Sequence, residues 1–220
     1  AHELMTHNWS LKHLHRQIVM SATYQQSSQW LAAAAKVDAG NRLLWRKSPQ
    51  RLDAETLRDT LLCVSGALNE RAGGPGFYEF TTFVHNSQFY TMRNGAGPTF
   101  DRRTIYRTWV RSARSQLLDV FDCPDPSTRA PQRAVTTTPL QALSLANNAF
   151  VLRMADTFAA RIKREVGDDV SRQTQQVFRH AFGRVPAADE LTECVALVES
   201  HGLAALCRVV FNSNELLYVD

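Results

Sequence analysis

Residues 102 to 114, "RRTIYRTWVRSAR", place Arg103, Arg107 and Arg111 four apart, with Tyr106 and Trp109 between them. A guanidinium is a planar fork that grips carboxylate, phosphate or sulfate bidentately, and aromatic faces beside it add cation–π attraction. A spacing of four keeps the three arginines on one face of a strand and within one stripe of a helix. The row is therefore a candidate platform for an anionic ligand. Pairing with the chain's own Asp and Glu side chains is the competing reading, and the sequence leaves both open. A second candidate lies in "RAVTTTPLQAL", residues 133 to 143. Thr138, Pro139 and Gln141 have the form of a capping box with proline at the first helical position, which assigns the Thr138 hydroxyl to a helix start. Arg133, Thr136 and Thr137 have no such duty and sit just before a helix amino terminus, where free N–H groups and the dipole favour an anion.

Other chemistry-bearing residues carry weaker patterns. His13 and His15 are two apart, so on a helix they diverge by about 160° to 200° and do not share a metal. Asp119, Asp122 and Asp125 lack the glycine turn and closing glutamate of a calcium loop. Cys63, Cys123, Cys194 and Cys207 form neither CxxC nor CxxCH, so neither a zinc knuckle nor covalent haem attachment is encoded. The expectation is no metal ligand, no catalytic residue and no cofactor in this chain. A hydrolase would have to draw on His13, Asp119, Asp122, Asp125 and Glu215, each of which has an ordinary structural explanation.

The elements that must position these residues are mostly helical. In "SLKHLHRQIVMSA" Ser10 caps a helix whose Leu11, Leu14, Ile18 and Ala22 share a face, predicting a packed helix with His15 leaning toward the stripe. In "LDAETLRDTLLCVSGAL" Asp53 is the cap, and Ala54, Leu57, Leu61, Val64 and Leu68 form the stripe. From Phe77 to Arg114 the pattern loosens, with turn signals at "HNSQ" and "NGAGP". β-Branched and aromatic content favours a strand around Ile105, and Ala134 to Thr137 reads as a short strand pairing with it. From Pro139 the chain is helical again. Val151, Ala155, Phe158 and Ile162 make one face, then Val170, Thr174, Val177, Phe178 and Ala181 the next, closed by Gly183. A terminal helical pair turns at "SHG", which makes Cys194 and Cys207 neighbours, as buried free thiols in preference to a disulfide. The fold class is mainly α: a helical bundle with a small β hairpin or irregular insertion at about 77–137. The expected organisation is one domain, 1–220, with a helical part at 1–75, an insertion at 76–138 and a bundle tail at 139–220.

Composition bounds the function. The 220 residues are 44% apolar, enough for a substantial core, and 25 Lys and Arg against 21 Asp and Glu give a net charge of +4. Arginine outnumbers lysine 21 to 4. That bias suits anion recognition, though a GC-rich genome produces it as well. Nucleic-acid binding is the least favoured class, since the net charge is modest and no recognition motif is present. No apolar run reaches the 18 or so residues of a membrane span. The amino terminus, "AHELMTHNWS", has neither a basic head nor an apolar run, and the expectation is a carboxy-terminal fragment of a longer multidomain protein.

Five blocks carry a family resemblance: "NWSLKHLHRQIVMSATYQQSS", "NRLLWRKSPQRLDAETLRDTLLCVSGAL", "RRTIYRTWVRSARSQLLDVFDCPDPST", "RAVTTTPLQALSLANN" and "LCRVVFNSNELLYVD". In this order they resemble the carboxy-terminal domain of large secreted planctomycete-type proteins, the family known as domain of unknown function 1553. The resemblance implies an extracytoplasmic setting, association with other domains of the parent polypeptide, and a link to polysaccharide breakdown or to a cytochrome c module that would hold haem outside this chain. It supplies no catalytic residues. The leading expectation is a non-catalytic ligand-binding or interaction domain, with an anionic or sulfated glycan as its ligand. A hydrolase of unknown substrate is the alternative, and nucleic-acid binding comes last.

Overall fold

A computed structural model describes residues 1–219. In chain order it contains helices α1 (His2–Thr6), α2 (Leu11–Val19) and α3 (Ala32–Val37), strand β1 (Gln50–Arg51), helix α4 (Ala54–Ser65), and strands β2 (Phe80–His85) and β3 (Ser87–Met92). A 3-10 turn at Thr104–Tyr106 follows, then α5 (Gln116–Val120), α6 (Pro139–Asn147), α7 (Ala149–Val166), α8 (Val170–Phe182), α9 (Ala188–His201), α10 (Leu203–Phe211), α11 (Asn214–Leu217) and β4 (Tyr218–Val219). The protein is mainly α, with a small antiparallel hairpin in its middle third. None of the described helices is long and apolar enough to cross a membrane.

The chain divides into two compact units. One comprises Ala1–Arg51 together with the described end of the chain, Tyr218 and Val219; the other is Leu52–Leu217. The division falls just before α4, which packs on α7 and α5 and so belongs to the bundle.

In the larger unit, local signals define the helices. The Asp53 carboxylate accepts the Thr56 N–H at 2.8 Å to open α4, and Gly66 closes it at φ +76°, a conformation that disfavours a side chain. Asn148 caps α7 by accepting the Phe150 N–H, and Asp169 caps α8 by accepting that of Arg172, both at 3.0 Å. α7 lies at the centre, packed on α4, α6, α8 and α10. Its Val151, Ala155, Phe158 and Ile162 are buried, as their spacing predicts, and Phe158 stacks on Phe211 of α10. Burying side chains such as those of Val151, Phe158 and Ile162 is worth about 1.5–3 kcal/mol each. α9 and α10 pack as a hairpin about Gly202, and all four cysteines are free thiols, with Cys207 buried and Cys194 half-buried. The hairpin β2–β3 pairs Phe80 with Met92 through His85 with Ser87, turning at Asn86, where the "HNSQ" signal lies.

Two expected strands are absent. The Ile105 segment is a 3-10 turn because Asp59 of α4 takes both the N–H and the hydroxyl of Thr104, each at 2.7 Å, which draws the chain onto the helix. Ala134 to Thr137 forms no strand because the Asp122 carboxylate takes the N–H and hydroxyl of Thr136, each at 2.8 Å. Helix α6 does start at Pro139, with one arm of its capping box formed. Gln141 Oε1 accepts the Thr138 N–H at 3.2 Å, while the Thr138 hydroxyl makes no capping bond and the Gln141 N–H goes to the Thr138 carbonyl.

In the smaller unit Ser10 caps α2, accepting the His13 N–H at 3.3 Å, and β1 pairs antiparallel with β4. The apolar stripe of α2 is not packed: Leu11 and Ile18 are exposed, as is His15. Among its described residues none is buried, because three short helices joined by irregular chain supply no layer to cover the stripe. Trp30 and Trp45 meet edge to face at 5.6 Å, with the Arg46 guanidinium over both rings.

Candidate functional site

The irregular stretch after α4 has few ladder hydrogen bonds, and its carbonyls need other donors. Buried arginines supply them. Arg58 of α4, 4% exposed, donates to the carbonyls of Arg102 at 2.9 Å and Phe100 at 2.7 Å and to the Thr104 hydroxyl at 3.3 Å. Burial holds its pKa below the usual arginine range. Arg102 donates to the carbonyls of Pro75, Arg71 and Gly73 and lies over the Tyr106 ring at 4.1 Å, and the Tyr106 hydroxyl accepts the Gly73 N–H. Each fork thus fastens several loop carbonyls at once.

The arginine row does not lie on one element. Arg103 precedes the 3-10 turn, is solvent-facing, and pairs with Asp59 at 3.1 Å. Arg107 is buried, pairs with Glu79 at 2.9 Å and stacks over Trp109. Arg111 is exposed and has no partner among the described residues. The second candidate site is also engaged internally. Arg133 forks onto Glu55 at 2.5 and 3.0 Å and lies 3.7 Å from Asp53, Thr136 is held by Asp122, and Thr137 also has a partner. The fold does bring Arg103, Trp109 and Arg133 into one surface cleft, but Asp53, Glu55 and Asp59 line it with them. Two guanidinium groups facing three carboxylates leave no positive excess for an anion there. The sequence missed this because each carboxylate comes from α4 or its cap, far away along the chain.

A different cleft has the charge that the row was expected to offer. A cavity of about 410 Å³ opens between α4, the end of β3, the loop after it, α5 and the start of α7. Arg58, Arg93, Arg114 and Arg153 line it, and Glu79 is its one lining carboxylate. Glu79 is already held by Arg107, with Arg58 3.9 Å away. Arg153 forks onto Asp101 at 2.8 and 3.0 Å, and Arg114 reaches Asp119 at 3.0 Å and Asp125 at 3.6 Å. Arg93 is exposed, lies over the Phe100 ring at 5.3 Å, and has no carboxylate partner among the described residues. Met92, Leu117 and Phe150 give the cleft apolar walls, with Asn94 and Gln116 as polar groups. Arg93 follows the hairpin directly, so β2–β3 sets its position, although nothing in its sequence context marks it out.

The carboxylates considered for hydrolysis do not converge. Asp119 and Asp125 serve Arg114, Asp122 serves Thr136, and Glu215 is paired with Arg184 at 2.6 Å.

The family described as protein of unknown function DUF1553 matches residues 1–198. The chain belongs to that family. The DUF1553 match takes in both α4 and the residues lining the cationic cleft. No curated protein and no solved structure matches the chain.

Proposed function

We propose that the larger unit is a non-catalytic ligand-binding domain whose cleft takes an anionic glycan, carboxylated or sulfated. The observation that supports this is Arg93: of the four guanidinium groups lining the cavity, Arg58 is held by carbonyls and Arg114 and Arg153 by carboxylates, while Arg93 has no carboxylate partner among the described residues. The partly exposed Met92 suits the face of a sugar ring, and the Arg93 fork suits its sulfate or carboxylate. The domain then acts as an accessory within an exported multidomain protein, giving other domains a foothold on polysaccharide, with any haem chemistry outside this chain. Nucleic acid is a poorer fit, since Phe150, the aromatic residue lining the cleft, is buried and offers no face for base stacking.

The test is calorimetric titration with a sulfated oligosaccharide and with its unsulfated counterpart in about 0.15 M salt. Selective binding of the sulfated form is expected. A charge-assisted hydrogen bond is worth about 1.5–3 kcal/mol, so Arg93→Ala should weaken binding by about 10- to 150-fold. Equal affinity for both sugars, or an unchanged Arg93→Ala, removes the assignment. Chain-shortening of the sugar during the titration, read by chromatography, would replace a binding domain with a hydrolase.

A further inference from the structure

The geometry of Glu3, His7 and His13 in the smaller unit points to a binding site for a divalent transition metal ion of the zinc class. α1 spaces Glu3 and His7 one turn apart, so both side chains leave the same face. Asn8 and Trp9, at φ +53° and +58°, then reverse the chain, and His13 in the first turn of α2 returns to the same place. His15, two residues on, faces away, as helix geometry requires.

Glu3 Oε2 lies 3.2 Å from His7 Nδ1 and 3.3 Å from His13 Nε2. One ligand atom from each of the three residues falls within 4.8 Å of the others. Around a tetrahedral ion with bonds of about 2.0–2.1 Å, ligand atoms sit about 3.3–3.4 Å apart, so the two Glu3 separations match edges of a coordination tetrahedron, and the two ring nitrogens need only close from within 4.8 Å. Two imidazoles and a carboxylate form a nitrogen and oxygen donor set suited to zinc, with a fourth position left for water or another ligand. Gln17, one turn beyond His13, donates to the same Glu3 oxygen at 3.2 Å and orients the carboxylate, the arrangement that supports ligands in metal sites.

The two imidazoles are stacked at 3.7 Å and nearly parallel, at 9°. Lone pairs in parallel planes do not converge, so binding requires rotation of at least one ring about χ2. That torsion is broad for histidine, and His7 is exposed. His7 Nδ1 also contacts the Glu3 carbonyl at 2.9 Å, and this hydrogen bond is given up as the neutral ring shifts its proton to Nε2 and presents Nδ1 to the ion.

The test titrates Zn²⁺ into the whole chain after chelator treatment, in a Cys63→Ser background that removes the exposed thiol. Co²⁺ is used in parallel for its visible absorption. One equivalent is expected, with cobalt bands typical of a nitrogen and oxygen tetrahedral site. His7→Asn and His13→Asn, which keep polar groups of similar size, should each lower affinity by more than about 100-fold. Gln17→Ala should lower it by about tenfold, at the low end for an orienting partner. Circular dichroism of the variants checks that α2 persists. Absence of uptake overturns the assignment, as does uptake that survives both histidine substitutions.

Discussion

Arg103 and Arg107 are the same residue type four positions apart, yet the structure gives them opposite weights. The Arg107 side chain is 2% exposed and its partner Glu79 13% exposed; Arg103 is 62% exposed. Replacing Arg107 with Met removes the 2.9 Å bond to Glu79 and leaves a largely buried carboxylate with only Arg58, 3.9 Å away, to compensate. Breaking one side of such a pair costs about 3–5 kcal/mol. At about 2–4 °C per kcal/mol for a unit of this size, the expected fall in Tm is about 6–20 °C. Arg103→Met leaves Asp59 with both bonds to Thr104 and loses only a surface pair, worth about 0–1 kcal/mol, so its Tm should fall by less than about 4 °C. Thermal unfolding followed by circular dichroism and by calorimetry measures both. Adding Glu79→Gln to Arg107→Met should recover part of the loss, because the uncompensated charge is then gone. Equal falls for the two single substitutions, or no fall for Arg107→Met, would refute the assignment of Arg107 as a buried strut.

Burial, then the nearby Glu55 carboxylate, pushes the Cys123 thiol up to about 12, and burial also raises that of Cys207. An alkylating reagent at pH 8 should therefore label Cys63 in the native protein and spare Cys123 and Cys207 until the chain unfolds. Peptide mass spectrometry reads this, and native labelling of Cys123 as fast as Cys63 would contradict its burial. Burial raises the Glu165 pKa, but hydrogen bonds from His180, Arg161 and Gln176 outweigh it and hold the carboxyl at about 2, against an ordinary value of 4.5. Because the folded-state pKa is depressed, its contribution is fully present above pH 4.5 and is lost as pH falls toward 2. Glu165→Gln should flatten the acid limb of stability in that window, measured by urea unfolding at a series of pH values; an unchanged limb would mean that the cluster adds nothing.

What could be read from the sequence was local. Asp53, Ser10 and Gly183 act within a few residues of themselves, and the stripe of α7 repeats within its own helix, so spacing alone identified them. The fate of the arginines is not local. Arg103 meets Asp59 across 44 positions, Arg107 meets Glu79 across 28 and Arg133 meets Glu55 across 78. Nothing in the spacing of the row encodes those encounters. The stripe of α2 failed for another reason: periodicity shows that a face is apolar, not that something covers it. Helix geometry rightly separates His13 from His15, but spacing does not reveal that His7 stacks on His13, because left-handed backbone at Asn8 and Trp9 brings it there, a conformation their residue types do not demand.

The excess of arginine over lysine has a mechanical use in the larger unit, whatever the genome contributes. Arg58 and Arg102 each bind three acceptors in a stretch that lacks ladder partners, and a planar fork does so with a fixed geometry. An ammonium on a flexible stem offers one nitrogen and loses more entropy per bond formed. Arginines used as struts are, by the same token, unavailable to a ligand. Counting arginines therefore overstates the binding capacity of this chain, and the useful question at each position is whether a carboxylate or carbonyl already occupies the fork. In the cationic cleft Arg58 is tied to carbonyls and Arg114 and Arg153 to carboxylates, so these three shape the wall and contribute little free charge. Arg93 has only an aromatic ring beside it, so among the described lining residues it is the guanidinium that an incoming sulfate or carboxylate can take without breaking an existing ion pair.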